Sequence, residues 1–196
     1  MPVSDGDRGP VPAGRDPEAY DRLRRRVLWS LPTGLFVVGS RAGARRNLMT
    51  CNWVMQVAIT PKLVAAAVER GSVTRELIED GGGFSVSVLA RSDRAVVRRF
   101  VKPTTHLVTD ASGVAVSLEG EPVHEVAGGL PCLASAVSWL SCRVRHTGRW
   151  DVDGQAASHV LFVGEVVDAG EREPTGGAGD HPEILRMEDT RMNYGG

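Results

Sequence analysis

Between Leu35 and Gly170 no apolar pattern keeps a helical period for long. Short runs with strand character recur instead: LFVVGS (35–40), LMTCNWVMQVAI (48–59), LVAAAVE (63–69), FSVSVLA (84–90), SGVAVSLEGEPV (112–123), CLASAVSWLSCRVRH (132–146) and SHVLFVGEVVDAG (158–170). Glycine, proline and aspartate punctuate them, and Asp153-Gly154 is a hairpin signal. Only two short helical patterns interrupt the series, at 70–83 and 92–100, with Ser72 and Ser92 as expected N-caps. Six or seven strands at this spacing predict a mainly β fold with inserted helices. A closed or nearly closed antiparallel barrel suits them better than a βαβ sheet.

A helix leads into this region. Asp16 can cap it, Pro17 presets its first turn, and Tyr20, Leu23, Val27 and Leu31 recur on one face before Pro32 ends it. The Arg24–Arg26 run lies mostly on the other face and reads as a solvated surface. Residues 1–15, rich in proline and glycine, read as a flexible tail, and 16–196 as one domain. RAGARRN (41–47) reads as a hairpin loop.

Several chemistries are disfavoured. The net charge of -1 gives no global basic field for nucleic acid or an anionic membrane. No apolar run is long enough to span a bilayer. The three cysteines, Cys51, Cys132 and Cys142, form no CxxC pair, and the five histidines show no metal-ligand spacing, so no metal is expected. The odd thiol count, without a leader segment, points to a reducing cytoplasm. No GxGxxG or P-loop follows a strand.

Two stretches carry candidate chemistry. In RGSVT (70–74) a strand ends and a helix begins, so free backbone N–H groups and the positive end of the helix dipole face outward. Arg70 adds a cation, Gly71 allows close approach, and Ser72 and Thr74 add hydroxyls. A one-phosphate cradle and a plain N-cap fit these residues equally well. In TCNW (50–53), alternation along an unbroken strand puts Thr50 and Asn52 on one face and Cys51 and Trp53 on the other. The stretch reads as a nucleophile, a platform for a flat ring, or a strand edge. No histidine stands near Cys51 in sequence, which weighs against thiol catalysis. His159 opens a strand, and the closing DTRMNYGG brings a cation, an amide and a phenol together.

LPTGLFVVGSR, the stretch from LMTCNW to FSVSVLA, GGLPCLASAVSWLSCRV and SHVLFVGEVVDAG together resemble the flavin-reductase-like, FMN-binding split-barrel family, over about residues 28–170. The resemblance implies a homodimeric split β-barrel with Greek-key-like connections and flavin near the dimer interface. It implies that Thr50, Cys51, Asn52 and Trp53 line the isoalloxazine, and that Arg70, Gly71, Ser72 and Thr74 hold the phosphate. Ser87 and Tyr194 are further cofactor contacts by the same likeness, and His159 lies near flavin or nicotinamide. The implied activity is an NAD(P)H:flavin reductase using FMN, with FAD as the alternative flavin and NADH or NADPH as co-substrate. It would supply reduced flavin to a partner monooxygenase, or electrons to an acceptor protein. The competing reading is a flavoredoxin-like electron-transfer protein with tightly held FMN and little NAD(P)H activity. Trp53 departs from the family pattern, where a serine is common, and Pro61-Lys62 replaces the usual Pro-Pro.

Overall fold

The structure is a computed structural model describing residues 9–172, 182–190 and 192. It divides into two units, Met1–Pro32 with Arg191–Gly196, and Thr33–Thr190. In the first, helix α1 runs Pro17–Trp29, and the Asp16 carboxylate accepts from the Ala19 N–H at 2.7 Å. Ser30 caps its end, so the helix stops before Pro32 is reached. Asp21 pairs with Arg24 and Arg25, which accounts for two members of the arginine run as surface ion pairs. No described helix is long and apolar enough to cross a membrane.

The second unit is mainly β. Its strands are β1 (Phe36–Ala42), β2 (Arg45–Cys51), β3 (Val54–Ala58), β4 (Leu63–Glu69), β5 (Gly83–Val88), β6 (Leu107–Thr109), β7 (Ala115–Leu118), β8 (Glu121–Val126), β9 (Leu130–Leu133), β10 (Ser138–Gly148), β11 (Asp151–Val152), β12 (Gln155–Ala156) and β13 (His159–Glu171). Helix α2 (Val73–Gly81) stands between β4 and β5. One antiparallel sheet has seven strands in the order β2-β1-β5-β10-β13-β4-β3. A second has four, β6-β7-β8-β9, and β11-β12 form a small hairpin.

The seven-stranded order has a geometric consequence. Its outermost strands, β2 and β3, are joined by Asn52 and Trp53 alone. Laid flat, the sheet would hold those strands about 29 Å apart, whereas the link from Cys51 to Val54 reaches about 10 Å. The sheet must therefore coil until its edges nearly meet. One apolar cluster fills the coil and takes residues from all seven strands, including Val38, Cys51, Ala66, Phe84, Cys142, Phe162 and, at its border, Val54. The edges do not pair with each other, so the barrel is not closed. Ala67 bridges the gap instead: its N–H donates to the Trp53 carbonyl at 2.9 Å, and its carbonyl accepts from the Cys51 thiol at 3.6 Å.

Several expected elements are corrected. LMTCNWVMQVAI is two strands on opposite edges, not one. RAGARRN is mostly strand, with a turn at Gly43-Ala44 only. CLASAVSWLSCRVRH divides between β9 in the small sheet and β10 in the large one. Residues 92–100 form 3-10 turns, and Ser92 lies inside the first, its hydroxyl on Asp93 rather than capping. Gly81 is the last residue of α2, and Gly82, at φ 71°, is the left-handed cap.

The small sheet packs closely on the large one. A Cβ at Gly39 would lie 2.0 Å from the Pro131 carbonyl oxygen, so glycine is needed where β9 crosses β1. Ser85 donates to that same carbonyl, and the Ser87 hydroxyl accepts from the Leu133 N–H. Glu125 of β8 ties the layers electrostatically, receiving Arg46 Nε at 2.7 Å, Arg41 Nη1 at 3.1 Å and the Ala115 N–H at 2.9 Å. Burial alone would raise the Glu125 carboxyl, but the Arg46 and Ala115 hydrogen bonds and the two guanidinium charges outweigh it and hold the group below its usual range.

Replacing Glu125 by alanine leaves the Arg46 guanidinium buried without its partner. Chemical denaturation at neutral pH is expected to show a loss of about 3 kcal/mol. Because the native carboxyl titrates below its unfolded value, its contribution is complete above the ordinary carboxylate range and declines as pH falls through the native value. The gap between wild type and variant should therefore narrow in acid.

Candidate functional site

Three chain segments meet at the end of the sheet where β3, β4 and β13 lie side by side. His159 pairs with Glu69 across β13 and β4. Trp53, just before β3, continues the pairing onto Ala67. Its indole meets the His159 ring edge-on, with centroids 4.6 Å apart and planes at 66°. Ser158 Oγ lies 2.9 Å from His159 Nδ1. Burial pushes the His159 imidazole below its ordinary value, and the Glu69 charge opposes this in part.

The loop from β4 into α2 begins next to His159. The Arg70 N–H donates to the Ser158 carbonyl at 2.8 Å, and Arg70 Nε donates to the Ala157 carbonyl at 3.0 Å. The base of the β11–β12 hairpin thus fixes both the backbone and the side chain of Arg70. Arg75 steadies the loop from the helix side, with Nε donating to the Arg70 carbonyl and Nη1 to Glu79. Among the described residues, the backbone N–H groups of Gly71, Val73 and Thr74 and the two Nη groups of Arg70 have no hydrogen-bond partner. Nothing lies within 4 Å of a Cβ placed on Gly71, so the loop is open there. A cation, three N–H groups without partners and the start of a nine-residue helix thus gather at this loop, the donor chemistry that suits a small anion.

The sequence-derived candidates divide into accessible and engaged groups. Asn52 is half-buried and its amide has no partner among the described residues; Trp53 is 39% exposed. Thr50 is buried and its hydroxyl donates to the Val97 carbonyl. Cys51 faces the barrel core, and burial raises its thiol to about 11. The two-face assignment for residues 50–53 therefore fails, because the strand breaks after Cys51 and alternation stops with it. Ser72 serves as a cap: its hydroxyl accepts from the Arg75 N–H and donates to the Glu69 carbonyl. Thr74 is 1% exposed, and its hydroxyl accepts from Asn47. Ser87 is fully buried against β9. Tyr194 lies outside the described residues.

Other neighbours of these segments were not singled out from sequence. Asn47 is buried; its amide donates to Thr74 and accepts from the Thr104 N–H, each at 2.8 Å, anchoring α2 from behind. Its place inside a presumed loop hid it. Arg75 and Glu79 have i,i+4 spacing, the visible signal of a helix pair. Glu69 needed the strand register to be seen beside His159. No group of three or more metal-binding side chains occurs among the described residues. A cavity of about 520 Å³ lined by Ala90, Arg91, Ser92, Arg94, Pro182 and Glu183 shares no residue with the Trp53–Arg70 cluster.

A coiled, unclosed seven-stranded sheet with a four-stranded second layer defines the class of fold. Residues 28–191 match the model of the flavin reductase like domain, and the chain belongs to that family. An NADH-dependent FMN reductase, AsuE2, from Streptomyces nodosus subsp. asukaensis is 30% identical over 88% of this chain and 83% of its own length. A high molecular weight rubredoxin from Moorella thermoacetica is 30% identical over 74% of this chain; the match spans 58% of that longer relative. The NADH:FAD oxidoreductase SgcE6 of Streptomyces globisporus C-1027, solved with NAD and FAD fragments, is similar with a TM-score of 0.61 at 26% identity, over 80% of this chain and 85% of its own.

Burial raises all three thiols, Cys142 to about 12, so little thiolate exists at mildly alkaline pH. Thiol titration with a chromogenic disulfide is expected to detect none of the three in the native protein and all three after unfolding. A fast-reacting Cys51 in the native state would contradict this placement.

Proposed function

We propose that the chain is a flavin reductase that uses a nicotinamide dinucleotide to reduce FMN. FAD is the alternative flavin, and NADH is the donor named for its relatives AsuE2 and SgcE6. The observation that carries the reading is the set of unpartnered donors at the start of α2, beside an accessible indole, amide and imidazole. These groups fit a flavin mononucleotide: a phosphate at one end and a flat heterocycle at the other. Arg70 Nη and the N–H groups of Gly71, Val73 and Thr74 would hold the phosphate. The Asn52 amide offers a donor and an acceptor to a ring edge, and Trp53 presents an apolar surface that excludes water. His159 Nε2 is left free for a ligand, with Nδ1 engaged by Ser158. Of the residues first proposed, Ser72, Thr74 and Thr50 would act through the backbone they hold rather than through their hydroxyls.

The bound flavin supplies hydride acceptance and electron storage. The protein's share is orientation, so that donor and acceptor rings meet without a search. Backbone N–H groups near the ring would favour the negative charge it gains on reduction. None of these roles needs an ionised thiol, in agreement with the buried state of Cys51.

A homodimer is part of the proposal. Met55 and Ile59 are 65% and 77% exposed beside Trp53, and Val57 is also exposed. An apolar edge strand of this kind favours cover by a second copy. The downstream partner would be a monooxygenase consuming reduced flavin, or an acceptor protein. The likeness to the rubredoxin relative favours a second reading, a flavin-holding electron carrier with little nicotinamide oxidation. A cytoplasmic setting fits either.

Purified protein should bind FMN, seen as a shift in the visible flavin spectrum, and should oxidise NADH faster when FMN is added. Retention of flavin with no oxidation of NADH or NADPH would select the carrier. Replacing Arg70 by alanine should weaken FMN about 10- to 100-fold, the range expected on losing a charged hydrogen bond. Riboflavin, which lacks the phosphate, should lose far less; equal losses for both would remove the phosphate role.

A further inference from the structure

The indole of Trp53 touches His159, and both rings stand on the open edge of the coiled sheet. The contact is possible only because β2 ends at Cys51. The chain then crosses to β4 through Asn52 and Trp53, which brings the indole across β4 onto the first residue of β13. His159 is thereby held from three directions. Trp53 meets its ring edge-on, Ser158 Oγ stands at Nδ1, and Glu69 lies opposite on β4. Glu69 is the charged group that acts on it from β4. Arg70, the next residue, bonds through Nε to the Ala157 carbonyl rather than to the imidazole.

We propose that Trp53 is a positioning residue for His159, fixing the orientation of the imidazole and shielding it from water, so that Nε2 is presented to the ligands at the open edge. The proposal deepens the flavin reductase reading and rests on it for the role of His159 in turnover. The contact itself is a property of the protein without flavin. Burial is the main cause of the lowered His159 value, and Glu69 pulls the other way. Removing the indole takes away cover and leaves Glu69 in place, so the imidazole should then protonate at higher pH. An imidazole that must be neutral to serve loses activity as pH falls through its own titration. The acid limb of the activity profile should therefore move to higher pH along with it.

The test follows the His159 ring protons by NMR in flavin-free protein, between about pH 5 and 8, where histidine titrates. A His159→Gln variant assigns the signal. Trp53→Ser is expected to raise the midpoint to the ordinary histidine value or above, and Trp53→Phe to leave it close to wild type. In NADH oxidation with FMN, the acid limb of kcat/KM should shift by the same amount in Trp53→Ser and be restored in Trp53→Phe. If the serine variant does not fold, Trp53→Leu replaces it, and the limb must again move with the midpoint. An unchanged midpoint in a folded serine or leucine variant overturns the proposal, as does a moved midpoint with an unmoved acid limb. Wild-type protein that never reduces flavin would overturn the activity reading, while the flavin-free titration would still report on the contact.

Discussion

The two-residue connection between β2 and β3 is the constraint on which the rest of this architecture depends. Sheet order places these strands at opposite edges, yet the chain allows only Asn52 and Trp53 between them. No flat arrangement satisfies both conditions, so curvature is imposed by connectivity rather than left to twist alone. The coil encloses a single apolar cluster and turns the polar and aromatic groups of the link toward the opening. Ala67 then meets both sides of the break with its own backbone groups, which spares the gap two unsatisfied polar atoms.

The second layer keeps the coil from relaxing. β9 lies so close to β1 that no side chain fits at Gly39, and the hydroxyls of Ser85 and Ser87 are spent on its backbone. Glu125 gathers two arginines of the β1–β2 hairpin, so the start of β2 is held as firmly as its end at Cys51. Asn47, within the same strand, reaches to Thr74. Through these contacts β2 is tied to the small sheet and to the first turn of α2. Scaffold and site are thus fixed by one strand.

Much of this was legible in the sequence, though unevenly. Strand character, the helices capped by Asp16 and Ser72 and the Asp153-Gly154 turn depend on local residue chemistry, and they appear as read. The strand break at Asn52 was not legible: alternation looks continuous from Leu48 to Ile59, and only the sheet order separates the halves. CLASAVSWLSCRVRH failed for the same reason, since two sheets can share one apolar pattern. At the start of α2 the Ser72 cap was legible from local residues, while the burial of Thr74 against Asn47 was not. A hydroxyl near a helix N-terminus looks alike whether it faces a ligand or a carbonyl. Its direction depends on Glu69 and Asn47, and the Asn47 contact is long-range.

Arg70 is held at both its backbone and its side chain by Ala157 and Ser158, residues that belong to the connection beyond the β11–β12 hairpin. That hairpin contributes nothing to the seven-stranded sheet or its core. Arginine, loop and hairpin are thus joined outside the apolar core, with Arg149, just before the hairpin, also paired to Glu79 of α2. Changes of length or sequence in residues 149–157 therefore reach the Arg70 loop before they reach the apolar core.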